Sequence, residues 1–359
     1  MKVAIIGAGM SGLCCAYTLE KLGIHCDIYE RKHTIGSLYS FGELLLQIIH
    51  RPVKDPLEFI KNQYGIFIEP LSKVNTVIMN SPNNTATIKG NLGYILQRGQ
   101  GEESIENQLA NNVNSKINFN ANPDYRELAK SYDYVVIATG NNIIAKQLTE
   151  FKNTVSSKVK GGIALGEFEP NTVCIWFNTR YARSGFGYLV PFNQNKASII
   201  LVSTYTQKEE LEDMWQTFLY QEKLNYEIIE TFETELDVGI ADRHQIDNIY
   251  LIGNAGGFLD PFLGFGLLNS IESAVYAAES IVHGYNYEKM VNKIMKKVNM
   301  FSDFRIAVDN MKNEDYDRIV EMIKKPLVRS FIYNTNVNVI KYLRSIVKLA
   351  NTKAKKPSN

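Results

Sequence analysis

Three glycines and one acidic residue near the start of the chain have the spacing of a nucleotide-binding turn. Gly7, Gly9 and Gly12 follow the apolar run at 3–6, and Glu30 lies 18 positions beyond Gly12. In such a turn the first glycine allows a tight bend, the second lets a pyrophosphate approach the backbone, and the third lets the next helix pack closely. A carboxylate at the end of the following strand accepts hydrogen bonds from ribose hydroxyls. The spacing therefore predicts a dinucleotide site.

The elements around these residues form a predicted βαβ unit. Residues 3–6 are an apolar run typical of a buried parallel strand, residues 13–22 have helical periodicity, and residues 25–29 form a second strand. Such a unit places the glycine turn at a strand end and opens a helix directly after it. Two further buried strands are predicted at 134–140 and 249–253, and each ends at a glycine.

The rest of the chain alternates helical with strand-rich stretches. Helices are predicted at 41–49, 102–110, 207–222 and 266–283, and the region from 286 is helical by composition, with Pro326 breaking or starting a helix there. Short strands are predicted at 66–68, 74–79, 85–88, 94–96, 173–177 and 197–202. Because the α/β pieces come first, in the middle and late, we expect a discontinuous dinucleotide domain.

Length and charge limit the class of protein. A chain of 359 residues suggests about two domains, and 45% hydrophobic and 21% charged residues are ordinary for a globular protein. A net charge of +1 is too small for the protein as a whole to bind nucleic acid by electrostatic attraction. The charge is split, since residues 286–359 hold 16 Lys/Arg against 7 Asp/Glu and the remaining 285 residues have a net charge of −8. No apolar run approaches the length of about 18 residues that a membrane span needs.

The four cysteines predict neither a disulfide framework nor a metal site. Cys14, Cys15, Cys26 and Cys174 lack the spacing of a zinc site and contain no C-x-x-C pair. We expect buried thiols in a reducing compartment, and no metal.

Three later segments add to the glycine turn. Residues 138–140 are Ala-Thr-Gly, and residues 253–266 read G-N-A-G-G-F-L-D-P-F-L-G-F-G before a long helix. Residues 185–191 read G-F-G-Y-L-V-P. Together with the turn, these segments resemble the geranylgeranyl reductase branch of the para-hydroxybenzoate hydroxylase-like flavoproteins over about residues 1–285.

The resemblance implies an FAD site. Its late glycines would bring a helix N-terminus near the isoalloxazine ring, and its acidic position would hold the ribitol. The implied FAD-binding residues are Gly7, Ala8, Gly9, Met10, Ser11, Gly12, Glu30, Arg31, Phe41, Gly42, Arg98, Gly140, Gly253, Asn254, Pro261, Gly264, Phe265, Gly266 and Leu267.

Three positions depart from the family pattern, among them Tyr188, which stands where the family usually has Trp, and the role of Arg98 is open. Asn254 stands where the family usually has Asp, and its amide still bonds a hydroxyl. Phe41, in the segment 40–43, replaces a cysteine that the reductases often hold against the flavin, which excludes chemistry through that thiol. Residues 93–98 resemble a strand that ends in a flavin-contacting Arg, and the alternative for Arg98 is a solvated loop cation.

The resemblance also implies a reaction. Reduced FAD would transfer a hydride from its N5 to a C=C bond of a prenyl (geranylgeranyl) lipid held in an apolar channel. The implied channel residues are Phe186, Tyr188, Leu189, Val190 and Pro191. No catalytic side chain is assigned, because the Tyr188 hydroxyl and a bound water are equal candidates for the proton donor. The external electron donor stays open between NAD(P)H and a ferredoxin-type carrier.

Two other functions compete with the reductase. One is an FAD monooxygenase of a small aromatic or polycyclic substrate, although Gly256 and Gly257 stand where aromatic hydroxylases usually have a His. Trp176 and Trp215 are too far apart to form the two-tryptophan motif of flavin halogenases. The other is a binding protein that holds prenyl groups on an FAD-type fold, which the intact glycine turn disfavours.

The basic C-terminal region, residues 286–359, contains two apolar stripes flanked by cations. The first has Met290, Ile294, Met295 and Val298 among Lys289, Lys293, Lys296 and Lys297, and the second has Val337, Ile340, Leu343, Ile346 and Val347. Spacings of three and four suit a helix on an anionic membrane surface or a helix packed on the body. We expect a cytoplasmic protein with peripheral membrane contact, an apolar prenyl-lipid substrate and no nucleic acid partner.

The expected fold class is α/β with α+β insertions. A Rossmann-like FAD-binding domain of the para-hydroxybenzoate hydroxylase type is predicted over 1–50, 90–150 and 238–285. A β-rich substrate domain interleaves with it over 51–89 and 151–237, and the helical C-terminus follows.

Overall fold

The computed structural model describes residues 1–333 of the chain. In chain order the strands are β1 (Val3–Ile6), β2 (Cys26–Tyr29), β3 (Phe41–Leu46), β4 (Ser72–Asn80), β5 (Thr85–Arg98), β6 (Ile117–Asn118), β7 (Tyr134–Ile137), β8 (Phe151–Leu165), β9 (Thr172–Trp176), β10 (Phe186–Pro191), β11 (Lys196–Thr204), β12 (Glu227–Ala241), β13 (Gln245–Ile246) and β14 (Ile249–Leu251). The α-helices are α1 (Met10–Lys21), α2 (Gln47–His50), α3 (Pro56–Tyr64), α4 (Ile105–Ala110), α5 (Tyr125–Ser131), α6 (Ala145–Leu148), α7 (Thr179–Ala182), α8 (Leu211–Gln221), α9 (Leu267–His283), α10 (Tyr287–Asp309), α11 (Asn313–Lys324) and α12 (Pro326–Tyr333).

A six-stranded sheet carries the glycine turn. Its order is β13-β14-β7-β1-β2-β6, and every neighbouring pair is parallel except β13 with β14. β1 lies between β2 and β7 and all four of its residues are buried, which explains its unbroken apolar run. α1 and α9 pack together over the same core as β1. The buried strands predicted at 3–6, 134–140 and 249–253 are confirmed.

An eight-stranded sheet forms the second layer. Its order is β12-β8-β11-β10-β9-β4-β5-β3, and its pairs are antiparallel except β4 with β9. Both sheets take their strands from separated parts of the chain, so the chain crosses between them several times. The domain boundaries given above stay a prediction.

The predicted helix at 41–49 is wrong. Residues 41–46 form β3, which pairs antiparallel with β5, and only the four residues of α2 are helical. Leu44 and Leu45 are buried in two different core clusters, one on each face of the strand. A strand buried on both faces has a continuous apolar run, and such a run has the same appearance as a buried helix.

Two strand predictions also need correction. Residues 66–68 pair with no strand in the described chain, although Ile66 and Ile68 are buried and Phe67 is exposed, which produces the alternation that suggested a strand. The segments 85–88 and 94–96 are parts of one strand, β5. The predicted helices at 102–110, 207–222 and 266–283 correspond to α4, α8 and α9, and Pro326 begins α12.

The first apolar stripe of the C-terminal region packs on the body. Ile294, Met295 and Val298 of α10 are buried in the core cluster that also contains α1 and α9 residues. The second stripe, from Val337 to Val347, lies outside the described residues. No helix within residues 1–333 is long and apolar enough to cross a membrane.

Candidate functional site

Two glycines of the turn, Gly7 and Gly12, are packed so closely that no other residue fits in their place. Gly7 has a φ of +112°, and a Cβ there would lie 2.3 Å from the carbonyl oxygen of Ala138. A Cβ on Gly12 would lie 2.0 Å from the carbonyl oxygen of Gly7. These approaches hold β1, β7 and the start of α1 together at the turn.

Gly9 is different, because it faces open space. A Cβ there would meet no atom within 4 Å, and Gly9 lines the large cavity described below. Gly9 is the N-cap of α1, whose first turn has neither a side-chain cap nor an acidic residue. The free backbone N–H groups and the positive end of the helix dipole therefore remain available to an anion.

Glu30 is buried beside the turn, with 5% of its surface exposed. Its Oε2 accepts a hydrogen bond from the Ala8 N–H at 2.9 Å, and its Oε1 accepts one from the Lys32 N–H at 3.0 Å. The carboxylate is thus fixed next to the backbone of the glycine turn. Arg31 is exposed.

The ends of β7 and β14 meet through Asn254. Its Nδ2 donates a hydrogen bond of 2.7 Å to the carbonyl oxygen of Gly140. The neighbouring Gly253 has a φ of +56° and donates its N–H to Ser273 Oγ at 3.0 Å. Asn254 and Gly140 both line the large cavity.

The loop before α9 is held by Asp260. Its Oδ1 accepts hydrogen bonds from the N–H groups of Phe262 at 3.0 Å and Leu263 at 2.8 Å, and its own N–H donates to the Phe265 carbonyl at 2.8 Å. Burial, more than any other influence, raises the pKa of Asp260 to about 6. The loop ends at Gly266, which is the N-cap of α9 and lacks a side-chain cap.

A cavity of about 780 Å³ joins these parts. The FAD-binding residues implied by the sequence that line it are Gly9, Met10, Ser11, Phe41, Arg98, Gly140, Asn254, Gly264, Phe265, Gly266 and Leu267. Those that do not line it are Gly7, Ala8, Gly12, Glu30, Arg31, Gly42, Gly253 and Pro261. The first group comes from six separate stretches of the chain, so the fold brings most of the implied site to one cavity.

Known proteins match this chain along nearly its whole length. Residues 5–44 match the NAD(P)-binding Rossmann-like domain. Digeranylgeranylglycerophospholipid reductase 2 of Methanosphaera stadtmanae is 25% identical, with 90% of this chain and 91% of that protein covered. The protein of the same name from Methanothermobacter thermautotrophicus is 22% identical, with 97% and 98% covered.

Solved structures share the fold. A geranylgeranyl bacteriochlorophyll reductase-like protein from Thermoplasma acidophilum has a TM-score of 0.71 at 15% identity, with 95% of this chain and 98% of that chain covered. A flavin-dependent brominase has a TM-score of 0.68 at 13% identity, with 98% and 100% covered. This is the fold of the flavin-dependent oxidoreductases. The resemblance to the geranylgeranyl reductases and the expected fold class are both confirmed.

In this flavoprotein fold Arg98 is not a solvated loop cation. It is the last residue of β5, its side chain is 20% exposed, and it donates hydrogen bonds to Glu106 at 2.8 Å and to Glu43. Burial opposes its charge, but the carboxylates of Glu106 and Glu43 outweigh burial and raise the pKa of Arg98 above its usual range. Its guanidinium lies 5.8 Å from the centre of the Phe41 ring. The sequence analysis missed both glutamates.

Only part of the aromatic motif on β10 faces the cavity. Phe186 and Tyr188 line it, whereas Leu189, Val190 and Pro191 do not. Leu189 points to the opposite face of the sheet because side chains alternate along a strand. Val190 packs against Gly42, where a Cβ would collide with the valine side chain. Burial, and then the charge of Glu43, raises the pKa of Tyr188 above its usual range, so its hydroxyl stays protonated at neutral pH.

The C-terminal helices supply a wall that the sequence analysis did not assign to the site. Their cavity-lining residues are Phe304, Ala307, Val308, Met311, Tyr316, Ile319, Val320, Met322, Ile323, Val328, Ile332 and Tyr333. The only sequence signal for this wall is the spacing of three and four between apolar residues in α10 and α11. That spacing predicts that each helix has a buried face, but not which part of the protein the face packs against. The wall makes this end of the cavity strongly apolar.

The cysteines and tryptophans lie away from the cavity. Burial raises the pKa of Cys14 and Cys15 well above the usual range, and it raises the pKa of Cys26 and of Cys174 to about 11. Trp176 and Trp215 are buried in a cluster on the other side of the eight-stranded sheet, and neither lines the cavity. No group of three or more metal-ligating side chains occurs within residues 1–333.

Proposed function

We propose that the chain is an FAD-dependent reductase of C=C bonds in the prenyl chain of a lipid. The observation that carries the proposal is the cavity of about 780 Å³, which runs from the phosphate-binding turn at Gly9 to the apolar wall of α10, α11 and α12. A flavin needs the first end of this cavity, and a long apolar chain suits the second.

The residues at the first end fit FAD. The open space at Gly9 and the uncapped start of α1 suit its pyrophosphate, and Glu30 suits the adenosine ribose. The loop 264–267 and the uncapped start of α9 suit the ring. When bound and reduced, FAD would supply the hydride for the C=C bond.

The residues at the second end would hold and shield the alkene. Phe186 and Tyr188 of β10 line the same cavity as Phe304 and Val308 of α10. An apolar enclosure of this kind orients a chain that has no polar handle, and it keeps water from the reacting carbons. The proton for the second carbon would come from the Tyr188 hydroxyl or from a water in the cavity.

The test is a single-turnover reaction with purified protein. The protein is loaded with FAD, reduced chemically without air, and mixed with a geranylgeranyl glycerophospholipid. Mass spectrometry should show the lipid with two additional hydrogen atoms per reduced bond, together with reoxidation of the flavin. Unchanged lipid with the flavin still reduced would contradict the reductase.

The same experiment separates the other candidate functions. If the reduced protein gives an oxygenated product when air and an aromatic substrate are added, the monooxygenase is favoured. The p-nitrophenol 4-monooxygenase from Pseudomonas putida has this fold, with a TM-score of 0.65 at 12% identity. A colourless protein that retains a prenyl lipid would favour the binding protein. The positions of Trp176 and Trp215 away from the cavity disfavour halogenation by paired tryptophans.

Two classes of electron donor are candidates for reducing the FAD, NAD(P)H and a ferredoxin-type carrier. NAD(P)H would visit transiently, because the glycine turn is assigned to FAD, and a ferredoxin-type carrier would deliver electrons one at a time. Stopped-flow reduction of the bound FAD with each donor in turn distinguishes them.

We also propose that an anionic membrane surface contacts the protein at the junction of α11 and α12. Met322 and Leu327 are 51% and 87% exposed, and Met322 also lines the cavity. Lys324 and Lys325 between them are exposed. The chain has nine Lys/Arg and no Asp/Glu after Glu321. Exposed apolar side chains among cations are typical of contact with an anionic bilayer.

A further inference from the structure

A second, much smaller cavity lies on the other side of the loop before α9. Its volume is about 10 Å³, roughly the space that one water molecule needs. Phe265 and Gly266 line both this cavity and the large one, so the loop is the wall between them. Three ionisable side chains, His50, Asp260 and Lys297, line the small cavity.

Asp260, which lines this cavity, has a carboxylate oxygen without a hydrogen-bond donor among the described residues. The residue is 2% exposed, and its Oδ2 accepts no hydrogen bond from any residue that the structure describes. A buried carboxylate oxygen without a donor is destabilising, because no hydrogen bond compensates for the water that it has lost. A nearby cation or a water held by that cation would remove this penalty, and Lys297 lines the same cavity.

The ammonium group of Lys297 is placed between several charged or polar groups. Its Nζ lies 3.4 Å from Nδ1 of His50. Burial, followed by the charge of Lys297, lowers the pKa of His50 well below its usual range, so His50 is neutral and its Nδ1 accepts from the ammonium. Burial, more than any other influence, lowers the pKa of Lys297, and the charge of Lys293 adds to this, whereas the carboxylates of Glu272 and Asp260 oppose it and favour the charged lysine.

The start of α9 lies near this group, because Gly266 and Lys297 line the same small cavity. Gly266, its N-cap, has no side-chain cap, and the first turn of the helix contains no acidic residue. The helix is 17 residues long, and the positive end of its dipole faces the large cavity through residues 266 and 267. The partly buried Lys297 lines the same small cavity as Gly266, so its ammonium adds to that positive potential.

We propose that Lys297 makes the start of α9 more electropositive toward the flavin ring and so favours the negatively charged, reduced cofactor, with the Asp260 carboxylate limiting the effect. Lys297 would act through the helix terminus without touching the ring, as a positioning residue. This inference rests on the proposed binding of FAD at this loop, but it does not depend on which substrate is reduced.

The experiment measures the midpoint potential of protein-bound FAD by anaerobic reductive titration. Lys297→Met should shift the potential to more negative values, because reduced FAD would bind more weakly relative to oxidised FAD. Each tenfold loss of that preference corresponds to a shift of about 30 mV for a two-electron couple. Asp260→Asn should shift the potential in the opposite direction, because the amide keeps the shape and removes the negative charge. Lys296→Met is the matched control, since the neighbouring Lys296 is exposed, and it should leave the potential unchanged.

If Lys297 and Asp260 had a merely structural role, Lys297→Met and Asp260→Asn would not shift the midpoint potential in opposite directions. Lys297→Gln, which keeps a polar group at the cavity, serves as the second variant if the methionine weakens folding, and circular dichroism with bound-FAD content verifies the fold. Wild-type potentials in folded Lys297→Met and Lys297→Gln proteins would overturn the inference, as would equal shifts in Lys297→Met and Asp260→Asn. Absence of FAD binding by the wild-type protein would overturn both this inference and the proposed function. The expected opposite shifts in a protein that leaves prenyl lipid unreduced would overturn the proposed function alone.

Discussion

The Glu30 carboxylate accepts a 2.9 Å hydrogen bond from the backbone N–H of Ala8, and this bond ties the end of β2 to the glycine turn. The residue is 5% exposed, so the carboxylate is held in one place before any ribose arrives. A preorganised acceptor of this kind loses little conformational freedom when a ligand binds.

Glu30→Ala should weaken FAD binding by about 1–3 kcal/mol, the range for hydrogen bonds to a charged group. Fluorescence titration of the apoprotein with FAD measures the change. Glu30→Gln keeps one acceptor oxygen and should lose less, and His33→Ala, at an exposed neighbouring position, is the control for general disturbance. If Glu30→Ala binds FAD as tightly as the wild type, Glu30 has no part in the site.

All four cysteines should be dispensable for turnover. Phe41 occupies the position of the family cysteine, and burial raises the pKa of Cys14 and Cys15 so far that both stay as thiols at neutral pH. A variant with all four replaced by Ala or Ser should unfold at lower urea concentration but retain FAD and reductase activity. Loss of activity in a folded, FAD-loaded variant would show that a thiol takes part.

How much the sequence predicts depends on how local the signal is. The glycine turn, β1 and α9 are predictable because each has its signal within a few residues. β3 is not, since its apolar run acquires a strand conformation only by pairing with β5, about fifty residues further along the chain.

The contacts between charged groups of the site could not be predicted for the same reason, because the partners are far apart in the sequence. Glu43 is 55 positions from Arg98, and His50 is 247 positions from Lys297, so no spacing rule connects either pair. The apolar wall from α10 to α12 was assigned to a separate region for the same reason. Periodicity indicates that a helix has a buried face, but the chain topology decides that this face closes the cavity.

Arg305→Met should destabilise the protein by about 3 kcal/mol. The guanidinium is 3% exposed and donates to Asp309 Oδ1 at 2.7 Å and to the Ser184 carbonyl at 2.8 Å, which joins α10 to the start of β10. Removing one partner of a buried pair leaves the other without its counter-charge. Urea unfolding measures the loss, and Arg318→Met, at a pair whose Arg is 75% exposed, should change stability by less than about 1 kcal/mol. Equal effects of the two variants would show that the Arg305 pair does not hold the helix.

Flotation with liposomes tests the membrane contact at the α11–α12 junction. Wild-type protein should float with anionic liposomes at low salt and much less at high salt, because salt screens the attraction beyond about 8–10 Å. Each cation near such a surface contributes about 1 kcal/mol, so replacing Lys324 and Lys325 by Gln should weaken binding by about 2 kcal/mol, or roughly thirtyfold. Leu327→Ser should weaken it further by removing an apolar side chain that is 87% exposed.

The matched control removes the same charge elsewhere. Lys289 and Lys296 are exposed on α10, whose apolar stripe is already buried against the body, so replacing both by Gln should reduce flotation much less. None of these variants should release FAD, because the residues replaced do not line the phosphate-binding end of the cavity. If the Lys324/Lys325 and Lys289/Lys296 double variants lose the same amount of flotation, binding depends on the net charge of the protein and not on a surface at the α11–α12 junction. If the wild-type protein ignores anionic liposomes at low salt, the membrane contact is wrong, and a substrate delivered from water becomes the better hypothesis.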